Sequence, residues 1–286
     1  MKGQLWEMIH GDCVEEVGKL ADESIGYSIF SPPFASLYVY SNDPRDMGNV
    51  KDDDEFFEHL SFLIPELYRV LKPGRNLSFH CMNLPLSKER DGVIGIKDFR
   101  GMLIKAFEKA GFVFHSEVCI WKDPVTAMQR TKAIGLLYKQ LRKDSCISRQ
   151  GIPDYLVTMR KPGVNPEPCA KDAAKFTVDA WQRYASPVWM DINPSDTLQR
   201  ESARQAEDER HICPLQLEVI RRGCLLWSNE GDTVLSPFAG IGSEGVVATG
   251  MKRRFIGVEL KQSYFEQAVK NLQNSEAQES LFTEVP

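Results

Sequence analysis

Ser236-Pro237-Phe238-Ala239-Gly240-Ile241-Gly242-Ser243-Glu244-Gly245 joins a short apolar run, Thr233 to Leu235, to a segment from Ser243 to Thr249 that reads as a helix. A strand that turns on glycines into a helix N-terminus is how a nucleotide-like cofactor is held. Gly240 and Gly242 let backbone approach a ligand and permit unusual dihedrals. The helix behind them presents unpaired N–H groups. The next predicted strand, Arg254 to Val258, runs into Glu259, 17 residues after Gly242. An acid at that place can accept hydrogen bonds from both hydroxyls of a ribose. Taken alone, the glycine turn would also serve as a tight connection.

Working outward, the rest of the chain alternates in the same way. Trp6 to Ile9 reads as a strand, Val14 to Leu20 as a helix and Ile25 to Phe30 as a strand. Phe56 to Leu71 carries apolar residues at helical spacing and stops at Lys72-Pro73-Gly74. Asn76 to Cys81 is then a strand, Phe99 to Ala110 a helix, and Phe112 to Trp121 and Tyr155 to Met159 further strands. Leu215 to Arg221 and Ser263 to Leu272 read as helices that flank the cofactor turn. Such alternation predicts a sheet covered by helices on both faces. Residues 163 to 211 break the pattern with prolines, glycines, Trp181, Tyr184 and Trp189, then a charged helix from about Thr197 to Glu209. They read as a separate lobe or a long insertion, with the three aromatics as core rather than stacking platforms. Ser41 to Asp54 is a polar loop able to close over a ligand, and the tail from Gln273 is polar and expected to fray.

Asp12 ends the first predicted strand. If that strand lies beside the one ending in Glu259, Asp12 can accept a hydrogen bond from an adenine amino group. It reads as well as the N-cap of the helix from Val14, and the two roles are compatible.

The second informative stretch is Ser31-Pro32-Pro33-Phe34, which stops the strand ending at Phe30. The prolines cannot continue a ladder, so the chain leaves the sheet there. This corner supplies a hydroxyl acceptor from Ser31, a carbonyl from Pro32 and an aromatic face from Phe34. Two adjacent acceptors suit an exocyclic amino group with its two hydrogens, and a ring suits a flat base taken from its stack.

With the corner preceding the glycine turn, the chain resembles the beta class of amino-group DNA methyltransferases. The likeness covers roughly residues 5 to 122 and 210 to 272, and it includes His10-Gly11-Asp12-Cys13, Leu67 to Gly74, His211 to Gln216 and Arg253 to Glu259. It implies an α/β fold with a Rossmann-like S-adenosylmethionine-dependent methyltransferase sheet, circularly permuted motif order and an inserted target-recognition region. It implies S-adenosylmethionine as methyl donor, with Phe238, Gly240 and Gly242 along it, Glu259 at its ribose and Asp12 at its adenine. Ser31 and the Pro32 carbonyl would orient the target amine beside Pro33, with Phe34 stacked on the base, and His211 to Gln216 would close the methionine end. The chain departs from the family at Ser236, where Asp is common, and at Cys213-Pro214-Leu215-Gln216, where Thr-Gln-Lys-Pro is usual. Ser at the corner is more usual in N4-cytosine than in N6-adenine enzymes, so cytosine N4 is expected. The stacking argument fits either base.

The resulting division places the catalytic part at 1–162 with a basic insertion at 122–150, and a target-recognition or accessory region at 163–210. The cofactor part follows at 211–274 and a flexible tail at 275–286. Residues 122 to 149 hold seven Lys/Arg against two Asp in a chain of net charge -5. Lys132, Lys139, Arg142, Lys143 and Arg149 are candidates for DNA phosphates, although a solvated helix face is the plain alternative. The expected substrate is double-stranded DNA with the target base flipped out. A homodimer and a separate restriction endonuclease, or a phage origin, fit the resemblance.

Composition bounds this reading. The 286 residues can bury a full core, and an acidic balance excludes a histone-like coat but not an enzyme with one basic face. No run approaches a membrane span, and the start lacks a signal-peptide core, so a cytoplasmic protein is expected. Seven scattered cysteines without a CxxC pair favour free thiols and no metal site. A dehydrogenase is the poorer alternative, because the turn does not complete Gly-x-Gly-x-x-Gly. Methyl transfer to RNA or protein would share the cofactor half, and a noncatalytic DNA-binding protein would need no cofactor pocket.

Overall fold

The computed structural model describes residues 1–33, 47, 52–125, 138–171, 176–198 and 215–283. The chain runs β1 (Trp6–His10), α1 (Cys13–Gly18), β2 (Tyr27–Phe30), α2 (Asp53–Val70), β3 (Asn76–Met82), β4 (Leu84–Leu86), β5 (Gly95–Lys97), α3 (Phe99–Lys109), β6 (Val113–Ile120) and β7 (Asp154–Arg160). It continues through α4 (Val178–Tyr184), β8 (Val188–Trp189), α5 (Leu217–Trp227), β9 (Thr233–Ser236), α6 (Ser243–Gly250), β10 (Arg254–Glu259) and α7 (Gln262–Thr283). Two single-turn helices at Lys88–Asp91 and Tyr138–Leu141 and a 3-10 turn at Ser145–Ile147 lie between these elements.

Eight strands form one sheet in the order β1-β10-β9-β2-β3-β7-β6-β8, while β4 and β5 make a separate ribbon. From β1 to β3 all neighbours are parallel, and β7 is antiparallel to both β3 and β6. The two C-terminal strands are thus slotted between two N-terminal ones, β10 against β1 and β9 against β2. That permuted arrangement brings the glycine turn after β9 alongside the proline corner after β2.

Helices cover both faces, as the alternation predicts. On one face α2 lays Phe56, Leu60, Leu63, Ile64, Leu67 and Val70 onto the sheet. These positions recur at helical spacing, and Asp52 caps the first turn by accepting from Glu55 N at 3.0 Å. On the other face α5, α6 and α7 bury Val219, Ile220, Val247, Ala248, Ala268 and Leu272. β2 therefore reads as an unbroken buried run, with Phe30 in the first core and Tyr27 and Ile29 in the second.

At the amino edge of the parallel strands, Arg75 ties the two halves of the chain together. Its side chain is 1% exposed and pairs with Asp232, donates to Gly26 O at 2.8 Å and donates to Glu167 O at 2.8 Å. Asp232 also accepts from Asn229 N at 2.7 Å, so this charge pair is enclosed by hydrogen bonds.

Three expectations need correction. The region from 163 is not a lobe apart: β8 extends the main sheet beside β6, and Trp189 is buried in the second core. Arg222 of α5 fastens it, stacking on the Tyr184 and Trp189 rings and gripping Asp191 through two hydrogen bonds of 3.0 and 2.7 Å. Trp181, expected in the core, is exposed instead, and the expected charged helix lies outside the described residues from 199 onward. The tail does not fray at Gln273: α7 runs on to Thr283, and within it Glu276 accepts from Gln4 N at 2.6 Å and Trp6 Nε1 at 3.2 Å. Those contacts to the first strand are invisible to a local reading of a polar segment. Among the described residues, no helix is long and apolar enough to cross a membrane.

Candidate active site at the carboxyl edge of the sheet

The carboxyl ends of β9, β10, β1, β2 and β3 share one edge. β9 has its sequence successor β10 on one side and β2 on the other, which is the crevice where open α/β sheets take ligands. Ser28 Oγ donates to Leu235 O at 2.9 Å and locks β2 to β9 just below that edge. Phe30 and Phe238 meet there with ring centroids 5.8 Å apart, so the two motifs are adjacent in space although about 200 residues apart in the chain.

The glycine turn has the conformation its residues permit. Gly240 and Gly242 have φ of +51° and +87°, with Gly242 as the left-handed N-cap of α6. A Cβ on Gly240 would meet nothing within 4 Å, so the backbone there faces open space. Glu259 braces the turn, its two oxygens accepting from Gly240 N at 2.8 Å and Lys261 N at 2.9 Å. Asp12 follows two residues after the neighbouring strand, since β1 pairs with β10 in the register His10↔Glu259. Both readings of Asp12 remain compatible: its Oδ1 caps α1, accepting from Val14 N at 2.9 Å and Glu15 N at 3.1 Å, and the cap makes no use of Oδ2.

The departure at Ser236 has a buried counterpart. Ser236 Oγ and Ser243 Oγ are buried without hydrogen-bond partners among the described residues. Beside Ser243, Glu244 is 4% exposed, and burial pushes its carboxyl up to about 8, with the Glu259 charge adding to the shift. The open space beside the Gly240 backbone, with the Glu259 carboxylate braced against the turn, leaves room for a ligand that carries a ribose.

At the corner, Ser31 continues β2 beyond the pair Phe30↔Phe79, which sets it next to His80 of β3. Ser31 Oγ is 3.1 Å from His80 Nδ1. His80 Nε2 is in turn 3.0 Å from Asp154 Oδ2, and Lys122 Nζ is 2.5 Å from the same oxygen. Burial alone would raise the Asp154 carboxyl, but His80 and Lys122 together hold it below its ordinary value. Pro32 and Pro33 follow at the mouth of the site, while Phe34 and most of the polar loop up to Lys51 lie outside the described residues.

The sequence reading did not single out His80, Asp154 or Glu244, and it counted Lys122 only as part of a basic run. His80 sits inside a predicted strand and Asp154 one residue before another, where one register or another would change their neighbours entirely. Of the candidate phosphate contacts, Lys139, Arg142 and Lys143 are exposed, Arg149 is half-buried and donates to Gln150 O at 3.1 Å, and Lys132 lies outside the described residues. His211 to Pro214 are outside them as well, while Leu215 is buried and Gln216 is the N-cap of α5.

Permuted strand order, glycine cradle and polar-Pro-Pro corner at one crevice define the class as an amino-group methylase. A family model confirms it: residues 27–270 match the N6_N4_Mtase family of DNA methylases, and the chain belongs to that family. It is 27% identical to the Type II methyltransferase M.MjaI of Methanocaldococcus jannaschii over 90% of this chain and 88% of that protein. It is 26% identical to the DNA adenine methyltransferase YhdJ of Escherichia coli K12, over 93% of this chain and 82% of the relative. Among solved structures, a Thermus thermophilus protein assigned as a DNA modification methylase, in complex with S-adenosyl-L-methionine, is similar with a TM-score of 0.68. That match is 22% identical and covers 94% of this chain and 95% of the other.

Proposed function

We propose that this protein transfers a methyl group from S-adenosylmethionine to the exocyclic N4 of cytosine in double-stranded DNA. The observation that carries the reading is the adjacency of Ser31 and the Gly240 turn across neighbouring strands β2 and β9. The bound cofactor supplies an electrophilic methyl on a sulfonium sulfur. Glu259 accepts from the ribose hydroxyls while bracing Gly240, and Asp12 accepts from the adenine amino group through the oxygen that the α1 cap does not use. Phe238, Gly240 and Gly242 form the floor.

An exocyclic amine is a poor nucleophile because its lone pair is conjugated with the ring. Ser31 Oγ and the Pro32 carbonyl each accept one amino hydrogen, which favours a pyramidal nitrogen whose lone pair faces the methyl. Phe34 stacks on the flipped base, and Pro33 stiffens the corner. Rate enhancement comes mainly from orientation. The neutral Ser31 acceptor favours cytosine; an N6-adenine substrate is the second reading, favoured by the similarity to an adenine methyltransferase of Escherichia coli. The exposed Lys139, Arg142 and Lys143 are the proposed phosphate contacts, joined by Lys132 and Arg149, with residues from 163 reaching base edges. A Type II relative is consistent with a cognate endonuclease as a separate chain, and a homodimer and a cytoplasmic setting belong to the same proposal.

The test is transfer of labelled methyl to unmethylated DNA followed by nucleoside mass analysis, with Ser31→Ala in parallel. N4-methylcytosine that disappears in the variant supports the reading. N6-methyladenine would keep the mechanism and overturn the base. No DNA methylation by folded, cofactor-bound protein would sink the DNA assignment.

A further inference from the structure

Four polar side chains stand in a row across four neighbouring segments, on one face of the sheet, ending at the corner. Ser31 follows β2 opposite His80 of β3. In the antiparallel pairing of β3 with β7, His80 faces Leu156 and Met82 faces Asp154, so Asp154 is the diagonal neighbour of His80 on the same face. Ile120 of β6 pairs with Asp154, and Lys122 lies two residues further on, again on that face. The contacts run Ser31 Oγ to His80 Nδ1 at 3.1 Å, His80 Nε2 to Asp154 Oδ2 at 3.0 Å, and Asp154 Oδ2 to Lys122 Nζ at 2.5 Å. The side chains of His80 and Asp154 are 10% and 3% exposed. A buried carboxylate and imidazole are a costly way to fill a sheet when apolar residues would pack as well.

We propose that His80, acting through Ser31, takes up the proton released by the target amine, with Asp154 and Lys122 fixing its tautomer. The proposal rests on the amino-group transfer reading above. An ionised Asp154 favours the hydrogen on Nε2, which leaves Nδ1 to accept from the Ser31 hydroxyl. Ser31 then turns its lone pairs toward the amine. The amine nitrogen's lone pair forms the bond to the methyl carbon, and the carbon–sulfur electron pair stays with sulfur, which becomes neutral. The cationic nitrogen passes one proton to Ser31 Oγ as the Ser31 hydroxyl hydrogen passes to His80 Nδ1. The resulting imidazolium faces Asp154 and loses its proton to solvent before the next turnover. In this structure Nε2 and Oδ2 are close without being aligned as a hydrogen bond, and such contacts often tighten only with substrate bound. Among the described residues, the charged groups around His80 are Asp154 from β7 and Lys122 beyond β6; β2 contributes the uncharged Ser31. Further out, Arg100 of α3 and Glu117 of β6 answer each other at 2.8 Å, and on β3 itself burial keeps the Cys81 thiol neutral.

The experiment is single-turnover methyl transfer to unmethylated DNA at saturating cofactor, against pH, with cofactor affinity measured for every protein. His80→Asn keeps an acceptor near Ser31 but cannot take a proton. We expect it to bind cofactor normally, to react about 100-fold more slowly and to lose the acid limb of the wild-type profile. Added imidazole should restore part of the rate of His80→Ala. Asp154→Asn should move the acid limb to lower pH, because the imidazolium loses its counter-charge. A His80→Asn rate within about 3-fold of wild type, or an unchanged acid limb, overturns the relay and leaves methyl transfer intact. If His80→Asn fails to bind cofactor, Asp154→Asn decides, and an unchanged limb there overturns the relay. A wild-type protein that methylates no DNA removes the underlying reading and the relay with it.

Discussion

The two edges of the parallel sheet solve the problem of buried polarity in opposite ways. At the amino edge, Arg75 and Asp232 are both buried, and each is enclosed by hydrogen bonds to the other, to Gly26 O and Glu167 O, and from Asn229 N. At the carboxyl edge, Ser236 Oγ, Ser243 Oγ, Ser263 Oγ, Gln216 Oε1 and Asp154 Oδ1 are buried without hydrogen-bond partners among the described residues, and Glu244 is buried with its carboxyl pushed up to about 8. Tyr27 Oη is the counterexample, unpartnered near the amino end of β2. A satisfied network rigidifies, whereas unpaired groups lower stability unless something else answers them. One edge holds the two halves of a permuted chain together, and the other leaves several buried polar atoms without partners among the described residues.

If that contrast is right, damage at the amino edge should appear as lost stability. Asp232→Ala strands a buried guanidinium, and a loss of about 3–5 kcal/mol in chemical denaturation is expected. Cofactor affinity of the folded fraction should be unchanged; a near-neutral Asp232→Ala would break the comparison.

Glu244→Gln should do the reverse and stabilise. Folded Glu244 keeps its proton up to about pH 8, while in the unfolded chain it ionises near the ordinary value of 4.5. Between those values folding takes up a proton, so stability falls as pH rises, and the loss is complete above about 8. The amide removes this dependence. Thermal unfolding should show a gain on the order of 4–5 kcal/mol at a pH of roughly 8.5 and under about 1 kcal/mol near pH 5. An equal effect at both pH values would contradict a carboxyl kept protonated by burial.

Gly240→Ala separates binding from folding more sharply. The added methyl points into open space, so a stability loss of about 1 kcal/mol is expected from the positive φ alone. Cofactor affinity, read by calorimetry, should fall about 10-fold or more, because the methyl occupies the cradle. Unimpaired binding would place the cofactor elsewhere.

The smallest stability effect is predicted at Lys139, Arg142 and Lys143, which are exposed. Alanine at each should leave the melting temperature unaltered and reduce the salt dependence of DNA binding by about one counterion. An unchanged salt slope would leave these residues as a solvated surface.

Much of the candidate site's local geometry was legible in the chain because its motifs are local. Ser31-Pro32-Pro33 must leave a sheet, and Gly240 and Gly242 must turn a strand into a helix, whatever surrounds them. The strands and helices of both cores were legible through apolar spacing, as in Phe56 to Val70. The 163–198 region misled because Trp189 and Arg222 meet only across the fold, and a Pro-rich aromatic stretch carries no sign of joining a sheet edge. The polar end of α7 misled for the same reason, since Glu276 finds its donors on residues 4 and 6.

Chain composition and local pattern were sufficient for the α/β class, the glycine turn, the exit from the sheet at Ser31-Pro32-Pro33 and the strand-end positions of Asp12 and Glu259, because each depends on bonding within a few residues. Strand order decided the rest. Only the insertion of β9 and β10 between β1 and β2 brings the Phe30 and Phe238 rings together, and only the registers of β3 and β7 align Ser31, His80 and Asp154. Register is a property of the packed sheet: sliding one strand by a single residue turns every side chain to the other face, and no local stretch of sequence carries that information.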